Sequence, residues 1–142
     1  MIEVVTVIGA AATTVFDLEL DMDVHSASLA GSRETAATAG GQRRLGLGDE
    51  VTFRARHFGL WWRMTSRVTV YERPWRFVDE QTRGPFREMR HEHLFEELGD
   101  GRTRMTDRMS FRAPMAVVLT PYLRRLLIER AAHIKARAER RP

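Results

Sequence analysis

The chain has 142 residues, enough for one domain with a sizeable core, and its 43% apolar and 30% charged content argues against both a disordered tail and a membrane-embedded protein. Zero cysteines exclude a disulfide scaffold, a thiolate metal site and a cysteine nucleophile together. The net charge of +4 is almost all arginine, with Lys135 the single lysine beside 22 arginines; because Arg87-Glu88, Arg90 with Glu92, and Asp107-Arg108 alternate in sign, the expectation is a solvated mixed-charge face and no nucleic-acid partner.

Ile2 to Ile8 is apolar and β-branched and stops at Gly9, which predicts a first strand. Its opening residues Met1-Ile2-Glu3-Val4-Val5 have no basic region before them, so no cleaved leader is expected, and no apolar run is long enough for membrane insertion. The expected location is the cytoplasm. Thr13 and Thr14 ahead of Val15, Phe16, Leu18 and Leu20, with Asp17 in the first turn, read as a capped short helix. The run Asp21-Met22-Asp23-Val24-His25 ends it or begins a second short turn. Gly40, Gly41, Gly46 and Gly48 bracket a loop around Arg43-Arg44-Leu45.

From there to residue 112 the dominant period is two, the mark of strands with one covered face. Val51, Phe53, Ala55 and His57 share a face, as do Trp62, Met64, Ser66, Val68 and Val70, with Tyr71 on the opposite side. Phe77, Asp79 and Gln81 follow after Arg73-Pro74, and Met89, His91, His93 and Phe95 after Gly84-Pro85. Gly99-Asp100-Gly101 is a hairpin turn leading to Met105, Asp107, Met109 and Phe111. Thr120 is placed as a helix cap with Pro121 in the first helical position. Leu123, Leu126, Leu127, Ala131, Ile134 and Ala138 then recur at helical spacing, which predicts a long C-terminal helix lying across an antiparallel meander.

The covered face carries polar residues. His57, Ser66, Asp79, Gln81, His91, His93 and Asp107 point the same way as Phe53, Trp62, Met64, Phe95, Met105 and Met109. If the glycine hairpin pairs Phe95 with Met105, His93 stands opposite Asp107 with Cβ atoms about 4.5–5.5 Å apart. A carboxylate buried there needs a partner. Either the pair is a satisfied element of the core, or sheet and helix leave a cavity lined by these groups; the cavity reading is the one favoured. His93 tuned by Asp107 can serve as a general acid–base. His91 and His93, two apart on a strand with one carboxylate nearby, make a poor metal set, so neither metal nor cofactor is expected. No G-x-S-x-G nucleophile turn and no phosphate loop is present. Of Trp61-Trp62, the register turns Trp62 inward and Trp61 outward.

Taken together, the first strand, the helix at Thr13 to Leu20, His25, Gly48-Asp49-Glu50-Val51-Thr52-Phe53, Phe77-Val78-Asp79-Glu80-Gln81, Gly84-Pro85-Phe86, His91-Glu92-His93-x-Phe95, Thr106-Asp107-Arg108, Pro114 and a closing helix resemble the START-like (SRPBCC) helix-grip superfamily. The likeness covers nearly the whole chain, and is nearest the small stand-alone bacterial members described as polyketide cyclase/dehydrase-like or ligand-binding. It implies an α+β fold: a curved antiparallel sheet of about seven strands around a long C-terminal helix, with one or two short helices after the first strand. It also implies a deep pocket for a lipid, polyketide, quinone or similar molecule. No cyclase catalytic residue of that family maps onto this sequence.

The resulting expectation is a binding protein, monomeric or homodimeric, for an apolar or amphipathic small molecule. Phe53, Trp62, Met64, Met105, Met109, Leu123 and Leu127 form its walls, and His57, Ser66, Asp79, His91, His93 and Asp107 are its polar contacts. The first alternative is a cyclase/dehydratase-type enzyme using His93 as acid–base and Asp107 to fix its tautomer. The second is a protein-interaction module working through the exposed arginines and Trp61.

Overall fold

The structure, a computed structural model, describes residues 1–22, 24, 35–38, 41 and 43–140. His25, Gly40 and Asp23 of the sequence reading lie outside the described residues. In chain order the elements are β1 (Ile2–Ile8), α1 (Ala12–Glu19), β2 (Thr35–Thr38), β3 (Glu50–His57), β4 (Leu60–Glu72), β5 (Arg76–Arg83), β6 (Glu88–Glu97), β7 (Thr103–Arg112) and α2 (Ala116–Glu139). The seven strands form one sheet in the order β1-β7-β6-β5-β4-β3-β2, every pair antiparallel. Strands β2 to β7 are therefore a meander, and β1 returns to pair with β7. Helix α2 packs on β1, β7 and α1. This is the α+β helix-grip arrangement, with the short helix α1 after β1 and helical backbone again at Met22 and Val24. No described helix is long and apolar enough to cross a membrane.

The core follows from the alternation. Met89, His91, His93 and Phe95 are buried on β6 while Arg90 and Glu96 are exposed, and β7 buries Met105 and Asp107 on the same side. From α1 and α2 the sheet receives Ala12, Val15 and Phe16, and Leu127, Ala131 and Ile134. The outer face carries cross-strand ion pairs, among them Arg76 to Glu92 at 2.7 Å, Arg108 to Glu3 at 2.8 Å and Arg104 to Glu96 at 3.0 Å. That is the mixed-charge surface expected from the alternating signs, and each such solvated pair contributes no more than about 1 kcal/mol.

Three local expectations are corrected. Helix α1 begins at Ala12 with Ala11 as its N-cap and no side-chain cap, so neither Thr13 nor Thr14 caps it. Burial at positions 12, 15, 16 and 19, one helical stripe, fixes the helix in place of a cap, and Arg73 holds its outer side through two hydrogen bonds to Asp17, at 2.9 and 2.8 Å. Helix α2 begins at Ala116, five residues before Pro121, its expected first position. Thr120 lies inside it and donates to the Ala116 carbonyl at 2.8 Å, and Pro121 is an interior residue. Finally, β4 and β5 shift register between Val68 and Val70. The extra residue reverses the faces beyond it: Val70 pairs with Val78, while Tyr71, expected outside, pairs with Phe77 and packs on Phe16.

Candidate functional site: an apolar cavity beside a buried charge cluster

Between the meander and α2 lies a cavity of about 590 Å³. Its floor is Phe53, Ala55 and His57 on β3, Trp62 and Met64 on β4, Met89 on β6 and Met109 on β7; its roof is Leu123, Leu126, Leu127 and Arg130 on α2. The polar side chains in the wall are few. His57 is hydrogen-bonded to the Tyr122 hydroxyl across the opening, and the Arg130 guanidinium lies over the Phe53 ring at 5.7 Å. Trp62 closes one side by donating its Nε1–H to the His57 carbonyl at 2.9 Å, while Trp61 points away beneath the Arg54 guanidinium.

The mouth is apolar and exposed. Phe58, Met115 and Val118 line it with 63%, 71% and 63% of their surface accessible. Phe58 and Met115 are also the two non-glycine residues found at positive φ among the described residues, at 56° and 60°. A bulky side chain in the left-handed region costs on the order of 1–3 kcal/mol and concentrates where function requires it. Here the cost falls on the β3–β4 turn and on the residue that opens α2, and both side chains face the entrance.

The Gly84-Pro85-Phe86 segment completes the wall, and its sequence has a mechanical reason. The Gln81 side-chain amide donates to the Phe86 carbonyl at 2.7 Å and accepts from the Phe86 N–H at 3.3 Å. This two-point grip holds Phe86, with Pro85, against the cavity. It also requires glycine at 84, where φ is 157° and a Cβ would stand 2.4 Å from Gln81 Oε1 and 3.0 Å from Met64 Cγ. Gly84→Ala is expected to cost about 1–3 kcal/mol in urea unfolding and to weaken uptake of an apolar fluorescent probe; a substitution that leaves both unchanged would mean the grip does not shape the wall.

Behind this wall is a cluster of titratable side chains. The expected register is observed: Phe95 pairs with Met105 and His93 with Asp107. His91 Nε2 is 3.0 Å from Asp107 Oδ1, His93 Nε2 is 2.9 Å from Asp79 Oδ1, and His93 Nδ1 is 3.3 Å from Asp107 Oδ1. The His93 ring is stacked between Phe77, at 4.0 Å, and His91, at 3.8 Å between centroids. From α1, Glu19 brings a third carboxylate, its Oε1 3.9 Å from His93 Nδ1. The sequence reading missed Glu19. The signal was present, since position 19 continues the buried stripe of 12, 15 and 16.

Burial alone would lower the His93 pKa, but the carboxylates of Asp107 and Asp79 outweigh it and raise it to about 10. His91 is driven down by burial and by repulsion from His93. Burial opposes ionisation of Asp107, yet the two imidazoles hold it well below the usual carboxylate range. Burial and the neighbouring Asp107 push Glu19 up to about 7. Both raised groups act in one direction: their stabilisation is complete below the unfolded-state pKa values and is lost as pH rises through the folded ones. Stability is therefore expected to fall between about pH 5 and about pH 8 as Glu19 ionises, and further toward about pH 10 as His93 does. In Glu19→Gln the first part of that fall should disappear, read from urea midpoints in chelator-containing buffer.

Thus Phe53, His57, Trp62, Met64, Met109, Leu123 and Leu127 are brought together on the cavity. Ser66, Asp79, His91, His93, Met105 and Asp107 share the inner face but are not in the cavity wall; all but Asp79 are 5% exposed or less. Ser66 Oγ has no hydrogen-bond partner among the described residues. Two trios of the cluster, Glu19–His93–Asp107 and Asp79–His91–His93, each bring three metal-ligating atoms within 4.8 Å of one another.

A seven-stranded antiparallel sheet, a long closing helix and a hollow between them define the START-like helix-grip fold. Solved structures that share it include the Zhui aromatase/cyclase from Streptomyces sp. R1128, which is 18% identical over 99% of this chain and 93% of that one with a TM-score of 0.78. A START superfamily protein from Mycobacterium smegmatis is 14% identical over 97% and 96%, with a TM-score of 0.71. Major latex-like protein 151 from Panax ginseng is 12% identical over 98% and 97%, with a TM-score of 0.75. No family model and no curated protein sequence matches the chain.

Proposed function

We infer that this chain binds an apolar or amphipathic small molecule, of the lipid, polyketide or quinone kind, between its sheet and α2. The observation that carries the reading is a cavity of about 590 Å³ walled by methionine, phenylalanine, leucine and tryptophan side chains and open at an apolar mouth. That volume lies within the roughly 300–1,000 Å³ of small-molecule sites. An apolar body would take up the wall. A single polar end would be read by the His57–Tyr122 pair at the opening or by Arg130. Met64, Met89 and Met109 suit ligands of varied outline because their unbranched side chains repack readily. The structural likeness to an aromatase/cyclase supports a ligand of that breadth.

The same likeness raises the cyclase/dehydratase alternative. It would need a substrate at His93, which is 4% exposed and is not among the lining residues. The geometry favours binding. Native mass spectrometry of the purified full chain tests this. A co-purifying non-protein mass, or saturable uptake of an apolar fluorescent probe with one site per chain, is the expected result. A chain that carries no such mass and takes up no probe would overturn it.

A further inference from the structure

The cluster behind the cavity holds a ring nitrogen whose separations from its carboxylates exceed those of ordinary hydrogen bonds. N–H···O bonds span about 2.7–3.2 Å. His93 Nδ1 is 3.3 Å from Asp107 Oδ1 and 3.9 Å from Glu19 Oε1, and although fully enclosed it makes no hydrogen bond of acceptable geometry among the described residues. Two atoms each about 2.0–2.1 Å from one tetrahedral zinc stand about 3.3 Å apart. The separations around His93 Nδ1 begin at that value.

The other ring nitrogen decides the tautomer. His93 Nε2 faces Asp79 Oδ1 at 2.9 Å, so its proton is donated to that carboxylate, and once a metal displaces the Nδ1 proton the lone pair points at Glu19 and Asp107. A carboxylate behind a histidine whose far nitrogen meets further acidic oxygens is the arrangement that orients imidazole ligands on metals. The ring cannot swing away, because Phe77 and His91 stack on its two faces.

Charge points the same way. Glu19, Asp79 and Asp107 place three carboxylates around one imidazole, and Glu19 and Asp107 are 2% and 4% exposed. Among the described residues a protonated His93 and Arg130, which acts on Glu19 from the cavity side, meet these carboxylates. A dication held by a neutral His93 and the carboxylates of Glu19 and Asp107 would take the place of the His93 charge between them.

We propose that Glu19, His93 and Asp107 form a binding site for a divalent cation of the zinc type, with Asp79 as the positioning residue for His93. Sequence spacing argued against a metal because it set His91 and His93 beside one carboxylate; the fold delivers two more, from α1 and β5. The ligand atoms are Glu19 Oε1, His93 Nδ1 and Asp107 Oδ1. Three protein ligands leave coordination positions open, as exchangeable sites do and closed structural sites do not. Because each ligand must be deprotonated, uptake releases protons from the cluster. The site is separate from the cavity wall and does not depend on what the cavity holds.

The test uses the full chain, stripped with a chelator and titrated with Zn²⁺ against a chromophoric competitor, then with Co²⁺ while visible absorption is followed. One equivalent per chain, a cobalt spectrum of low coordination number and a raised Tm are expected. His93→Gln should abolish uptake. Asp79→Asn should weaken it about 10–100-fold, and His133→Ala, on α2 and outside the cluster, should leave it unchanged. Wild-type protein that takes up no metal overturns the proposal, whether or not any variant folds. So does uptake that survives His93→Gln and vanishes with His133→Ala, which would mark adventitious binding on the helix surface.

Discussion

Phe16→Ala is expected to lower the stability of the full chain by about 3–5 kcal/mol in urea unfolding, a large share of the roughly 5–15 kcal/mol that holds a domain folded. Phe16 is fully buried on α1, with edge-on rings on three sides: Tyr71 at 5.5 Å, Phe77 at 5.3 Å and Phe95 at 5.3 Å. Truncation forfeits the transfer free energy of the ring and the contacts of three aromatic neighbours. Those neighbours belong to β4, β5 and β6 and cannot close the gap together. Phe16→Leu should recover most of the loss. Phe77 also stacks on His93, so the void opens beside the charge cluster as well. Phe16 does not line the ligand cavity, so probe uptake by the folded fraction should persist. A loss below about 1 kcal/mol would mean that the aromatic box is loosely packed.

That box shows what the sequence could and could not convey. The alternation of β3 to β7 was legible because one face of each strand is covered and the other carries paired charges, so polarity and direction coincide. The glycine hairpin at 99–101 then set the β6–β7 register and placed His93 against Asp107. The position of Tyr71 was not legible. It depends on one extra residue in β4 that hydrophobic pattern does not mark, because Val70 and Tyr71 are both acceptable on either face. The start of α2 was hidden for a related reason. Thr120-Pro121 has the chemistry of a helix start, but Val117 and Val118 form an exposed turn ahead of it, at 88% and 63% accessibility, next to the cavity mouth. For the inner-face polar residues, period-two reasoning reported the side of the sheet and nothing about distance along it. His57 and Asp107 share that side, yet only His57 meets the cavity. Glu19 fell between the two kinds of pattern, a charge on an apolar helical stripe, which a reading based on polarity assigns to solvent.

The separation of cavity and cluster makes the binding function testable without touching the charges. Leu123→Glu is expected to weaken uptake of an apolar probe by about tenfold or more, since a carboxylate in the wall must either lose its hydration when the probe binds or keep water where the probe should sit. Leu123 is only partly buried on α2, and the cavity is open at the Phe58–Met115 mouth, so the new carboxylate can reach water in the empty protein and the folding cost should be small. Thr106→Glu places the same charge on the outer face of β7, between Arg104 and Arg108, and should leave uptake as it was. Fluorescence titration of the two variants against the wild type separates the outcomes. Equal uptake by all three would mean that the probe sits elsewhere on the surface, and the hollow between sheet and helix would lose its claim as the binding site. Loss confined to Leu123→Glu would assign it to the α2 roof, leaving His93 and its carboxylates to be examined for their own chemistry.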